Sequence, residues 1–105
     1  MPPADEEIRK HYRDRNFILS AHAHEKSAQR RILSDEIDEA IQAGEVIEDY
    51  PNDKYGPSCL LLGLTKAGRP LHIQVSYPPH RKVITVYEPS SDRWEADMRT
   101  RKQHG

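Results

Sequence analysis

The sequence has one cysteine, one tryptophan and one phenylalanine, and no apolar run near the roughly 20 residues that a membrane-spanning helix needs. The single thiol, Cys59, excludes an internal disulfide framework. It lies in the run Cys59-Leu60-Leu61-Leu62, where a small buried thiol is expected rather than a nucleophile. There is no Gly-rich phosphate loop, no serine elbow, and no HExxH or CxxC spacing. His22 and His24 are two apart, which on a helix points them in different directions, so no zinc site and no other cofactor is expected. Any chemistry is then metal-free acid–base chemistry. The first apolar residues are followed at once by Asp5-Glu6-Glu7, which is not the pattern of a signal peptide, and a cytoplasmic location is the expectation.

What is present is charge. Charged residues make up 31% of the 105 positions and hydrophobic ones 35%, the latter concentrated in blocks that can build a modest core for one domain. The net charge of −1 hides an asymmetry. Residues 1–52 carry seven Lys/Arg against twelve Asp/Glu, and residues 53–105 carry nine against five. An acidic front and a basic back fit either a polyanion-facing surface or ordinary solvated charge.

The pattern divides the chain into a helical leader over 1–15 and an α+β domain over 16–105. In the leader, acidic residues precede basic ones as the helix dipole favours, but Ile8 and Tyr12 are its only apolar pair, so a peripheral helix with a solvated His11 is expected. Ser20 is placed to cap a helix over 21–31, and Ser34 a helix over 35–43 whose Ile37, Ala40 and Ile41 form an apolar stripe ending at Gly44. Residues 45–50 read as an edge strand and 58–65 as a central one. After Pro89, Ser90 or Ser91 is placed to cap a basic C-terminal helix over 92–102, with Trp94 and Met98 one turn apart. Helices followed by strands indicate α+β: a small antiparallel sheet of three to four strands, the N-terminal helices on one face.

The most informative stretch runs from Gly68 to Tyr87. Leu71, Ile73, Val75 and Tyr77 alternate with His72, Gln74 and Ser76, and the β-branched run Val83 to Val86 follows Pro78-Pro79, so a hairpin is expected. Placing Tyr77 opposite Lys82 sets Val75 against Ile84, Ile73 against Val86, Gln74 against Thr85 and His72 against Tyr87. One face is then apolar. The other carries an imidazole, an amide, a hydroxyl and a phenol. An outward sheet face must be polar in any case, but His72 and Tyr87 can move protons and Gln74 can orient a phosphate or base. On the first long helix, His22, Lys26 and Arg30 share one face at steps of four and form a second candidate, a phosphate cradle or a solvated basic face.

Several pieces recur in a known order: Ser20-x-His22-Ala23-x-x-Lys26, Arg30, Gly44-Glu45-Val46-Ile47-Glu48-x-Tyr50-Pro51, Leu60-Leu61-Leu62-Gly63, Gly68-Arg69-Pro70-Leu71-His72, Thr85-Val86-Tyr87-x-Pro89 and Trp94. Over residues 16–102 the chain resembles a bacterial domain family of unknown function, number 4258 among such families. Where that family more often has Arg after the His-Ala pair, this chain has Lys26, which keeps the charge and loses the planar fork.

The resemblance extends to the RelE and MqsR type of small α+β toxin, which cleave messenger RNA and are held by an antitoxin, in some cases an MqsA-like protein with a zinc-finger domain. It implies His72 as base or acid, Tyr87 as acid or phosphate anchor, and Gln74 as an orienting group. It also implies His22, Lys26, Arg30, Arg69 and Thr85 as contacts to RNA phosphates. His22 has a structural alternative, bonded to a strand carbonyl at the start of its helix. The net acidity and the run Glu45 to Tyr50 oppose the toxin reading. The competing readings are a non-catalytic protein-binding module and a degenerate toxin.

Overall fold

The computed structural model describes residues 2–103. Helix α1 spans Asp5–His11, strand β1 Ile18–Leu19, helix α2 Ala21–Gln29 and helix α3 Ser34–Gln42. Strands β2 (Glu45–Tyr50), β3 (Ser58–Leu64), β4 (Pro70–Ser76) and β5 (Lys82–Tyr87) follow. The class is α+β, but the sheet has five strands, not three to four, in the order β1-β5-β4-β3-β2. It is mixed rather than antiparallel, because β1 runs parallel to β5. That extra strand is two residues long, too short to show any period. It is held by Ile18 N–H donating to Arg81 O at 2.8 Å and Ser20 N–H to Val83 O at 2.9 Å.

The three α-helices among the described residues serve one face. α2 packs on β5, α3 on β3 and β4, and α1 on α3. The core joins Ile37, Ala40 and Ile41 to Cys59, Leu61, Leu71, Ile73, Val75, Val83 and Val86. Burial, then the carboxylates of Asp49 and Asp5, push the Cys59 thiol up to about 12, consistent with the inert role expected of it. Ser20 caps α2 as expected, its Oγ accepting from Ala23 N–H at 2.9 Å while donating to Ile84 O at 2.8 Å. The expected cap of the next helix is displaced by one. Leu33 occupies the cap position, Ser34 is already helical, and Glu36 reaches back to accept from Leu33 N–H at 3.0 Å.

Two expectations fail outright. α1 is not peripheral. Ile8 and Tyr12 are fully buried in the core, and Tyr12 O–H donates to Ser76 O at 2.8 Å. Nor is His11 simply solvated, since its Nε2 lies 3.0 Å from His80 O. The C-terminal helix is absent. Residues 89–102 instead fold back as a strap of turns, with Trp94 and Arg101 in an antiparallel bridge. Asp97 explains part of this. Its carboxylate accepts from the N–H groups of Arg99 and Thr100 and from Thr100 Oγ1, a local alternative to helical bonding. Met98 then takes a φ of 63°, which no helix accommodates.

Arg69, expected as a free cation, is a clamp. It donates to Glu36 and Glu88 and to the carbonyls of Arg30 and Arg31, tying the α2–α3 turn to the end of the sheet. Arg69→Ala is expected to lower stability by about 1–2 kcal/mol in urea denaturation, discounted for partial solvent screening. A loss below roughly 0.3 kcal/mol would show that these bonds only replace bonds to water.

Candidate functional site

The face of the sheet opposite the helices holds the site. The register there follows the alternation: His72 faces Tyr87, Ile73 faces Val86, and Gln74 faces Thr85. Below that point the expected pairing is wrong. A bulge at Ile84 sets Val75 against Val83, and Tyr77 leaves the ladder to bond Asp49. With Val83 and Val86 both turned into the core, the extra residue between the two ladder segments is what lets this strand keep both contacts.

His72 is fully buried. The strap covers it: the Trp94 ring stands edge-on with its centroid 4.3 Å away, and Met98 O lies 2.6 Å from Nε2. A carbonyl only accepts, so Nε2 carries the hydrogen. Nδ1 of the neutral ring is then an acceptor, and Tyr87 O–H, 3.2 Å away, donates to it. Burial lowers the His72 pKa below its ordinary 6.5, against the opposing effects of Met98 O and Glu48. Burial raises that of Tyr87, partly offset by Arg101, Arg30 and Arg93. At neutral pH the pair is therefore neutral imidazole and intact phenol.

Half-buried Tyr87 opens into a cavity of about 410 Å³ that is also lined by Arg30, Glu88, Ser90, Arg93, Trp94 and Arg101, the Glu88 carboxylate being bonded by Arg69. Arg30, at the C-terminal end of α2, is steadied by one bond from its guanidinium to Val86 O at 2.7 Å. Arg101 donates two bonds to Glu48, at 2.8 and 3.0 Å, and lies 4.7 Å from the Trp94 ring centroid. Arg93 has no ion pair or side-chain hydrogen bond among the described residues. Burial alone would raise the Glu48 carboxyl, but the bonds from Arg101 and Tyr50 outweigh it and hold it below the usual range.

The acidic run is thus not an open negative patch: Glu45 pairs with Arg99, Glu48 with Arg101 and Tyr50, and Asp49 with Tyr77.

Of the residues expected to bind phosphate, only Arg30 lines this cavity. His22 is exposed, and it is Ser20 rather than His22 that bonds the strand carbonyl. Lys26 contacts Gln29 at 3.4 Å. Gln74 turns toward β3 and donates to Ser58 Oγ at 2.9 Å, while Thr85 stays half-buried on β5. Arg93 and Arg101 were expected on a basic C-terminal helix. The dense arginines beside the only tryptophan were the available signal, but nothing local said that the chain would fold back.

A family model described as a domain of unknown function (DUF4258) matches residues 19–88, from β1 to just past β5. Helix α1 and the strap lie outside that match. No curated protein and no solved structure matches the chain.

Proposed function

The chain belongs to the DUF4258 family, and on that premise we propose that it is a metal-independent endoribonuclease of the RelE and MqsR kind, cytoplasmic and held by an antitoxin. The observation that carries this reading is the convergence of Arg30, Arg93 and Arg101 on Tyr87. Three guanidiniums around one phenol fit a phosphodiester and the extra charge of its pentavalent transition state. Because Tyr87 O–H points at His72, its oxygen offers lone pairs to the cavity. Tyr87 takes the proton of a ribose 2′-hydroxyl as it passes its own to His72 Nδ1. The 2′-oxygen attacks phosphorus, the bond to the 5′-oxygen breaks, and that oxygen takes a proton from water. The products are a 2′,3′-cyclic phosphate and a free 5′-hydroxyl. Afterwards Tyr87 gives the ribose proton to the hydroxide left by that water as His72 returns its own proton to Tyr87, and the site is reset. His72 does not touch RNA in this scheme; it is a positioning residue and proton reservoir.

The test is cleavage of end-labelled single-stranded RNA by the purified protein in excess chelator, wild type beside Arg93→Glu. Cyclic-phosphate ends from the wild type, reduced at least tenfold by the substitution, support the reading. A folded wild type that neither binds nor cuts RNA overturns it. The burial of His72 under the strap is the observation that favours the second reading, a degenerate toxin or binding module. Binding without cutting would select it.

A further inference from the structure

A second cavity, of about 520 Å³, lies at the start of β5, the opposite end of that strand from Tyr87. Its wall combines the Tyr55 ring, 68% exposed, with Ile18, 72% exposed, and the rigid rings of Pro57 and Pro79. Ile84, the residue bulged out of the ladder, forms part of the wall. Arg81 and Lys82 supply charge; both are exposed, and neither has an ion pair or side-chain hydrogen bond among the described residues. Among the described residues, no acidic side chain lines the cavity. The ammonium of Lys54 sits 4.9 Å from the Tyr55 ring centroid and adds a third cation. Tyr55 is held in place by its loop: its N–H donates to Asp53 Oδ2 at 3.0 Å, and Gly56 N–H to Asp53 O at 2.9 Å.

We propose that this cavity is a subsite for one nucleotide of single-stranded RNA, with the base stacked on Tyr55 and the adjoining phosphate between Arg81 and Lys82. A planar aromatic surface beside unpaired cations is how single strands are held without sequence readout. An acidic peptide would match the charge but makes no particular use of an exposed ring flanked by prolines. The inference rests on the reading of Tyr87 as the point of cleavage and extends it. β5 separates the two cavities by roughly 16 Å, five steps of about 3.3 Å, so one strand of a few nucleotides reaches both. The arginine cavity then holds the scissile phosphate and the Tyr55 cavity holds a flanking nucleotide.

The experiment measures binding of fluorescent RNA with every ribose at the cleavage points replaced by deoxyribose, as an eight-nucleotide strand and as a dinucleotide. The proteins are wild type, Tyr55→Ala, Arg81→Glu with Lys82→Glu, and Arg93→Glu. All four positions are exposed, and circular dichroism checks folding. Tyr55→Ala and the double variant should each weaken binding of the eight-nucleotide strand about tenfold and leave the dinucleotide unchanged. The double variant should also flatten the dependence of log K on log salt by about 0.7, the share of one phosphate. Arg93→Glu should weaken both ligands. If the eight-nucleotide strand binds the Tyr55 and double variants as tightly as the wild type, the subsite is wrong and the cleavage site stands. If the wild type binds neither strand, the cleavage reading fails first. Binding of an acidic peptide in place of RNA, lost in the double variant, would overturn the subsite in favour of a protein partner.

Discussion

On the proposed ribonuclease reading, Tyr87→Phe is expected to slow RNA cleavage by about 10²–10³-fold and to leave the fold intact. The substitution removes one oxygen, the group that faces the arginine cavity and the only reactive atom of the His72–Tyr87 pair that a substrate reaches. Positioned acid–base groups contribute typically ~10²–10⁴ in rate. The structural cost is smaller. His72 Nδ1 loses its donor at 3.2 Å, an expected penalty of about 1 kcal/mol. Rate and stability therefore separate, and a thermal melt beside the cleavage assay tells them apart.

The same geometry fixes the pH profile. In the proposed mechanism His72 must be neutral to accept the proton, and burial holds its pKa below 6.5, so cleavage is expected to rise through a limb lying below that value. Burial raises the Tyr87 pKa above its ordinary 10, so no alkaline loss from the phenol is expected before pH 10. Stability moves the same way. Below about pH 6.5 the unfolded chain takes up a proton that buried His72 refuses, so the fold weakens as pH falls. His72→Asn should flatten the acidic limb of the rate profile. Retention of wild-type rate within threefold in Tyr87→Phe would remove Tyr87 from the chemistry.

Gly63→Ala is expected to destabilise the protein by about 3 kcal/mol or more. A methyl group at Gly63 in β3 would stand 1.8 Å from Ala40 O, 2.6 Å from its carbonyl carbon and 3.0 Å from its Cα. The neighbour is the backbone of α3, with no flexible side chain to swing aside. Overpacking a core ordinarily costs about 1–3 kcal/mol, and here the helix itself must lift from the sheet, which opens the contacts of Ile37 and Ile41. Urea denaturation measures the loss. Gly56→Ala is the comparison: its φ is 98°, but nothing lies within 4 Å of the added carbon, so it pays only for the backbone, about 1 kcal/mol. Equal losses in the two variants would show that α3 approaches β3 less closely than described.

The close approach at Gly63 was invisible locally. Gly63 looked like one residue of an apolar run, and only the helix across from it gives the glycine a reason. Tyr12 is the same kind of case. In a polar leader it had a single apolar partner, yet its hydroxyl finds Ser76 O across 64 positions and the ring enters the core. Long-range partners of this sort leave no period in the chain.

For the candidate site the division is sharper. The alternation from Leu71 to Tyr87 placed His72 opposite Tyr87 and Gln74 opposite Thr85, because a strand has a period of two and a slip would bury polar groups. The Ser20 cap, the apolar stripe of α3 and the α+β class were likewise set by local chemistry and by the order of elements. Three further things were decided wholly or in part by tertiary structure. The strap abandoned its helix because Trp94 closes over His72 and Arg101 finds Glu48. Arg93, Arg101 and Arg30 met at Tyr87 only because that strap folded back. Arg69 was paired with Glu36 and Glu88, which lie on other elements. Periodicity and capping are short-range, so the residues themselves carry them. Which charges meet depends on distant segments closing on one another, and no local pattern encodes that.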